Sequence, residues 1–373
     1  MRVLHLFNEI KFSGAEVMYL NAAALMRDKG VEMLVCSTNS SIGDFAEQFV
    51  NANIEVCHKP INFTPLSVSG VIFYINFYKF LIVRKISVLH IHRSDLSFVA
   101  FIAKLAGVRC VKTQHATFRN PFLTRPYQIF LRFLLRTVCK VTYQSIGSTV
   151  YNNELVQYKN ASVKVNNWYD STRFYPKAGH NEPEELRRKL CLPEGSFIII
   201  STGSCSTIKN HFEIIDALAL LRTKGAFFYV HLGSGSCETA ERNHAKNLGL
   251  EDDILFLGNR LNVREYLVAS DVFVMTSRFE GLGNAALEAM ACKIPALLYN
   301  VPGLRDLINN DDNGYLIEPN SSSLAEKLAE LRDSPSDSIK NKVESGYSFV
   351  TNNFSMKANV SKIFSLYVGA RVK

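Results

Sequence analysis

The feature that most constrains this chain is an alternation of short apolar runs with longer helix-period runs, and it occurs twice. In the first series Val3–Phe7, Glu32–Ser37, Ile54–His58, Val88–His92, Arg109–Thr113 and Val141–Gln144 read as strands. Between them Ala15–Lys29, Val68–Lys85, Leu96–Ala106 and Pro126–Thr137 read as helices. Short strands separated by helices of this length form βαβ units, and such units build a mostly parallel sheet covered on both faces.

The alternation pauses at Asn166–Asn181, a polar stretch with Pro176, Gly179 and no clear period. It restarts with strands at Phe197–Thr202, Phe227–Leu232, Ile254–Leu257, Val272–Thr276 and Pro295–Tyr299. Helices are expected at Asn210–Arg222 and Glu238–Leu248. One long sheet with a loop is the simpler architecture. Two runs that each open with a strand and a glycine-containing turn favour two similar α/β domains. The expected division is 1–166, a linker at 167–181, a second domain at 182–350, and a C-terminal helical segment at 351–373 that packs back on the first domain.

Charge is unevenly placed along the 373 residues. The net charge is +8, yet residues 1–180 hold 21 Lys and Arg against 10 Asp and Glu, and the remainder is net negative. From Lys59 to Lys140 there are 13 Lys and Arg and the single acid Asp95. That half therefore presents cations to nucleic acid, anionic lipid or a phosphorylated substrate. The eight Cys include no C-x-x-C pair and lie in core-like segments, so they are expected to be reduced thiols of a cytoplasmic protein. The N-terminus is too polar for a signal peptide, and the most apolar run, Val71–Val83, is shorter than the ~20 residues a span needs.

The segment Thr276–Pro295 (TSRFEGLGNAALEAMACKIP) carries the most chemistry. A strand ends, Gly281 and Gly283 make a turn, and a helix begins near Asn284. Exposed amides and the helix dipole make such a turn a phosphate site. Glu288 follows Asn284 by four residues on one helix face and is placed to accept hydrogen bonds from a ribose diol. Glu280, before the turn, is placed to meet whatever extends beyond the phosphates. A helix-terminal acid and a solvated acid would give the same two letters.

The E-x7-E spacing with G-x-G inside it resembles the signature of retaining GT-B glycosyltransferases of the family 4 type. Other segments agree in order along the chain: Ser13-Gly14-Ala15-Glu16 as the N-terminal glycine loop, His115 after the strand Arg109–Thr113, Asn166–Pro176 as the linker motif, Lys209-Asn210 after the second domain's first strand, and Pro302-Gly303 as a second glycine loop. The resemblance implies two Rossmann-like domains facing across a cleft, the first binding the acceptor and the second the donor nucleotide sugar, with UDP as the base-rate nucleotide. It implies that Lys209 neutralises the donor diphosphate, that Gly14 lets the backbone approach it, and that Glu288 holds the ribose. Glu280 and the amides of Gly281, Leu282, Gly283 and Asn284 would hold the sugar, and His115 would contact its hydroxyls. His115, Glu280 and Lys209 are thus the expected catalytic set. The family works without metal or other cofactor, and no D-x-D argues otherwise. Catalysis is expected to be electrostatic, with front-face attack by the acceptor and the leaving diphosphate taking its proton.

One departure is plain: Gly203 is followed by Ser204 where many members have Arg, which removes a phosphate cation. Arg278 or Arg260 is a candidate replacement, and a non-catalytic sugar-nucleotide-binding or scaffold subunit is the rival reading. Gly233-Ser234-Gly235 lacks the third glycine of a dinucleotide fingerprint and reads as a turn. His90 and His92 on one strand face lack a third metal ligand and read as core. Asn120–Lys140 sets Ile129, Phe130, Phe133, Leu134 and Val138 among Arg125, Arg132, Arg136 and Lys140. This fits a helix lying on an anionic membrane or a core-facing helix with a solvated basic edge. With the first, the acceptor is expected to be a polyprenyl-diphosphate-linked glycan, built on the inner face of the cytoplasmic membrane for a bacterial capsule, O-antigen or exopolysaccharide. No nucleic-acid recognition motif accompanies the basic half. The loops Asn62–Ser69 and Thr117–Arg125 are where acceptor choice is expected to reside.

Overall fold

The computed structural model describes residues 1–93, 95–117, 124–309, 312–370 and 372. The chain forms two compact units, Met1–Asn167 together with Met356–Lys373, and Trp168–Ser355.

The first unit is built on β1 (Arg2–Phe7), β2 (Glu32–Ser37), β3 (Glu55–His58), β4 (Val88–Ile91), β5 (Arg109–Gln114), β6 (Thr142–Ser145) and β7 (Val163–Lys164). All pair in parallel, in the order β3-β2-β1-β4-β5-β6-β7. The central strands are buried on both faces, because helices cover both. Leu4, Leu6, Leu34, Leu89 and Ile91 join Phe77 and Leu81 of the helix Val68–Val83, Val99, Ala100 and Ala103 of the helix Ser97–Leu105, and Leu135 of the helix Arg125–Thr137 in one core.

The single expected helix at 15–29 is two, Gly14–Asn21 and Ala23–Asp28, separated at Ala22. A helix at Ser148–Tyr158 escaped the sequence reading. Its inward face is Val150, Glu154 and Tyr158, so a buried acid interrupts the apolar stripe. That acid is Glu154, which meets Arg132 Nε at 3.0 Å while the Arg132 guanidinium lies 3.9 Å over the Tyr158 ring. The chain's last helix, Met356–Val368, packs on the helix Ala23–Asp28 and on β5. It buries Val360, Ile363, Leu366 and Tyr367, and the Tyr367 hydroxyl lies 2.7 Å from Nδ1 of His90 inside the core.

The second unit is built on β8 (Phe197–Thr202), β9 (Phe227–Leu232), β10 (Ile254–Phe256), β11 (Val272–Met275), β12 (Ala296–Tyr299) and β13 (Tyr315–Ile317). These are again all parallel, ordered β10-β9-β8-β11-β12-β13. Of the stretch expected to be a linker, residues 168–170 and 174 pack into this unit, while 177–181 are exposed. Trp168, Tyr169 and Phe174 are buried, and Tyr169 pairs with Ser355. Arg264 pins the rest: it donates to the carbonyls of Tyr175 (3.0 Å) and Pro176 (2.9 Å), pairs with Glu182 at 2.7 Å and stacks on the Tyr175 ring. Aromatic side chains in a polar stretch without period carry no strand or helix signal, but they bury as well as any core residue.

Among the described residues no helix is long and apolar enough to cross a membrane. Replacing Tyr367 by Phe leaves Nδ1 of a fully buried His90 without its partner. We expect a stability loss of about 1–3 kcal/mol, read as a lower urea midpoint for the first unit followed by amide exchange at His90 and Thr113.

Candidate functional site

In an open parallel sheet, ligands bind beyond the carboxyl ends of the strands where the strand order reverses. In the second unit that point lies between β8 and β11. The loop after β8 carries Lys209, and the loop after β11 carries Glu280.

Three hydrogen bonds fasten these loops together. Arg278 N donates to Ile208 O (2.8 Å), and Thr276 Oγ1 donates to the carbonyls of Lys209 (3.2 Å) and Asn210 (3.0 Å). Asn210 sits in the left-handed region at φ +56°, which Asn tolerates better than most residues. The stem of Lys209 runs over Gly203, where an added Cβ would come within 3.3 Å of it. The Lys209 ammonium then meets Glu280 Oε1 at 2.6 Å, and Ser277 Oγ donates to the same oxygen at 2.7 Å. Both charged groups keep partial solvent access, at 22% and 15%.

The turn behind Glu280 is set by backbone approach. Glu280 N donates to Pro302 O at 3.0 Å, and Gly303, at φ +90°, lets its backbone lie against the Glu280 carbonyl. Gly283, at φ +86°, caps the helix Asn284–Ala291. Gly281 and Asn284 keep partial exposure, and Leu282 is buried. Glu288 lies one turn into this helix. Burial pushes its carboxyl up to about 7, with Arg173 drawing it down and Asp170 raising it. Arg173 and Asp170 belong to the stretch read as a linker, where no local pattern marks them as acting on this carboxylate. Ser277, the partner of Glu280, was missed too.

At the departure from the expected pattern, Ser204 is exposed. Arg278 is also exposed, and its backbone bond to Ile208 places it beside the Lys209 loop. Arg260 is exposed in the loop after β10. Gly233-Ser234-Gly235 is a turn, as expected: Gly235 is glycine because a Cβ would collide with the backbone of Cys205, its N lying at 2.9 Å.

In the first unit the order reverses between β1 and β4. Gly14, exposed, opens the helix after β1, with Ser13 hydrogen-bonded to Glu16, whose burial pushes its carboxyl up to about 6. His115 follows β5. A chain of imidazoles runs inward from it: His115 Nε2 to His92 Nδ1 at 3.0 Å, and His92 Nε2 to His5 Nδ1 at 3.0 Å. Burial holds His115 down to about 4 and His5 to about 3, so the chain is neutral at pH 7. Among the described residues His5 Nε2 is buried without a partner. A bare acceptor there costs less than a bare N–H, which orients every bond outward and leaves the His115 proton on Nδ1. His90 is spent on Tyr367 and on Thr113 (2.6 Å), consistent with a core role. The loop at 117–125, where acceptor choice was expected, lies largely outside the described residues, as does the start of the basic stretch at 120–123.

Because the Arg173 charge draws the Glu288 carboxyl down, Arg173→Ala should move its titration midpoint above the wild-type value of about 7. A carbon-detected NMR titration of the two proteins reads this directly, and an unchanged midpoint would remove Arg173 from the site.

The family described as Glycosyl transferases group 1 matches residues 182–347, and Glycosyltransferase Family 4 matches residues 12–146. An Escherichia coli UDP-Gal:alpha-D-GlcNAc-diphosphoundecaprenol alpha-1,3-galactosyltransferase is 27% identical over 307 residues, 79% of this chain and 78% of that one. A Bacillus anthracis N-acetyl-alpha-D-glucosaminyl L-malate synthase is 28% identical over 240 residues, 63% of this chain and 62% of that one, just under two thirds of its length. Among solved structures, a Rickettsia africae glycosyltransferase superposes with TM-score 0.83 at 18% identity, covering 99% of this chain and 98% of that one. Anabaena HepE in complex with UDP and glucose superposes with TM-score 0.81 at 18% identity, covering 98% of each chain. With both family matches in chain order on the two parallel-sheet units, the chain belongs to the family 4 type of glycosyltransferases with the GT-B fold.

Proposed function

We propose that this protein transfers a sugar from a nucleotide sugar, with UDP as the nucleotide, to a polyprenyl-diphosphate-linked glycan during bacterial surface polysaccharide synthesis. The observation that carries this is the Lys209–Glu280 pair, assembled at the switch point of the second sheet just before the glycine turn whose helix carries Glu288. The donor diphosphate would draw the Lys209 ammonium from Glu280, freeing that carboxylate for sugar hydroxyls. As the anomeric C–O bond breaks, negative charge grows on the diphosphate, and Lys209 and the amides of the turn stabilise it. The Cys205–His231 pair is fully buried away from solvent, and the likeness to retaining GT-B enzymes supports front-face attack with retention and no metal at the donor. His115 would donate from Nδ1 to a sugar oxygen. The solved HepE complexes with UDP and the E. coli relative's diphosphoundecaprenol acceptor support donor and acceptor class.

Titration with UDP, GDP and ADP sugars tests the donor. UDP-sugars alone should bind, and Glu288→Ala should weaken them at least about tenfold, the worth of a charged hydrogen bond. Lys209→Ala should cut transfer by about 10²–10³-fold. The pH sign follows from the raised carboxyl of Glu288. A ribose diol donates to the ionised form, so affinity is full above pH 7 and falls as pH drops through about 7. In Glu288→Gln the profile should be flat. If no nucleotide sugar binds, the scaffold reading suggested by Ser204 replaces this one.

We also propose that the first unit docks on an anionic membrane. The helix Arg125–Thr137 exposes Tyr127 (58%), Phe130 (60%) and Phe133 (53%), and the helix Val68–Val83 exposes Val68, Val71, Ile72, Ile75 and Ile82. Arg132, expected among the lipid-facing cations, instead turns inward to Glu154, because a buried carboxylate needs a partner more than a lipid phosphate does. Arg125 and Lys159 line the hollow formed by Ile129, Phe130 and Phe133. Phe130→Ser with Phe133→Ser should abolish sedimentation with phosphatidylglycerol vesicles while leaving nucleotide binding intact, and unchanged sedimentation would sink the idea.

A further inference from the structure

Four side chains from four separate segments converge in the core of the second unit, behind the loop that carries Lys209. Cys205 lies after β8, His211 just before the helix Phe212–Leu221, His231 in β9, and Glu241 in the helix Glu238–Asn247. All are buried, with exposures of 0%, 3%, 0% and 0%. One donor atom from each lies within 4.8 Å of the others.

The details favour coordination over a simple polar network. His231 Nε2 is 3.2 Å from Cys205 Sγ, while its Nδ1 is engaged by Ser201 Oγ at 2.8 Å. That is the outer hydrogen bond which orients a metal-binding imidazole. His211 Nδ1 is 3.2 Å from Glu241 Oε1. Among the described residues Glu241 Oε2, fully buried, is left without a hydrogen-bond partner, while the carboxylate also faces the Cys205 thiol. An unsatisfied carboxylate oxygen at such depth is costly. A divalent ion among one thiolate, one carboxylate and two neutral imidazoles gives zero net charge and satisfies that oxygen's group. Ligand distances of about 2.0–2.3 Å around tetrahedral zinc set neighbouring donor atoms roughly 3.3–3.6 Å apart, close to the two pairs seen.

We propose that Cys205, His211, His231 and Glu241 form a structural divalent-metal site, with Zn²⁺ the ion their sulfur, nitrogen and oxygen donors fit. Four protein ligands leave no open position, so the ion braces the fold and does not take part in transfer. Cys205 and His211 bracket Lys209 in sequence, so the ion ties both ends of that loop to β9 and the helix Glu238–Asn247. Cys205 releases its thiol proton on binding. The cluster His5, His90 and His92 in the first unit offers a contrast. It has no anionic donor, and both ring nitrogens of His90 and of His92 already have hydrogen-bond partners.

The test uses the tag-free full chain purified without chelator. Elemental analysis should find about one zinc per chain. Protein stripped of zinc and reloaded with Co²⁺ should show tetrahedral d–d bands and a thiolate-to-cobalt charge-transfer band. Cys205→Ser should lose the charge-transfer band, and Glu241→Gln should lose bound metal on dialysis. Adding Zn²⁺ to stripped wild type should raise its melting temperature, a readout that survives if a variant fails to fold. Protein that neither carries nor takes up metal overturns the proposal. So does bound Co²⁺ whose spectrum is the same in Cys205→Ser, which would mark an adventitious ion only.

Discussion

A parallel sheet delivers the carboxyl ends of all its strands to one edge, and everything functional in this protein hangs from that constraint. In each unit the strand order reverses once near the centre, between β1 and β4 and between β8 and β11. Neighbouring loops diverge at that point and leave room for a ligand. Gly14 and His115 follow β1 and β5, interior strands of the first sheet, at their carboxyl ends. Lys209 and Glu280 follow the two strands that flank the switch in the second.

What turns proximity into a site is the fastening of one loop to another. The bonds from Thr276 and Arg278 to the 208–210 carbonyls hold Lys209 against Glu280, and glycines at 203, 283 and 303 leave room for the Lys209 side chain, the Leu304 side chain and the Glu280 backbone. The salt bridge that results keeps some solvent access on both partners, so screening discounts the stability it contributes. It is better seen as a charge pair at rest, ready to be exchanged for diphosphate on one side and sugar on the other. The imidazole chain of the first unit works through burial: its groups stay neutral, so proton position is fixed by hydrogen bonding.

The buried polar groups share a logic. Glu154 with Arg132, Glu241 in its Cys and His cluster, and His90 with Tyr367 each link elements far apart in sequence. Each interrupts the apolar pattern by which core positions are recognised. This is why the helix Ser148–Tyr158 went unread and why Arg132 looked like a surface cation.

The sequence by itself determined the architecture and the site's outline. Strand and helix periods are local properties, and so is a glycine turn feeding a helix flanked by Glu280 and Glu288; local patterns survive in one dimension. Only the tertiary structure decided what packs on what. It placed Trp168, Tyr169 and Phe174 in a core, set Arg173 and Asp170 to act on Glu288, and fixed the contact, Tyr367 on His90, by which the last helix makes its expected return to the first unit. It also gathered Cys205, His211, His231 and Glu241. Their spacings match no motif, because ligands drawn from a loop, a helix start, a strand and a second helix are neighbours only once the β8–β9 ladder has formed.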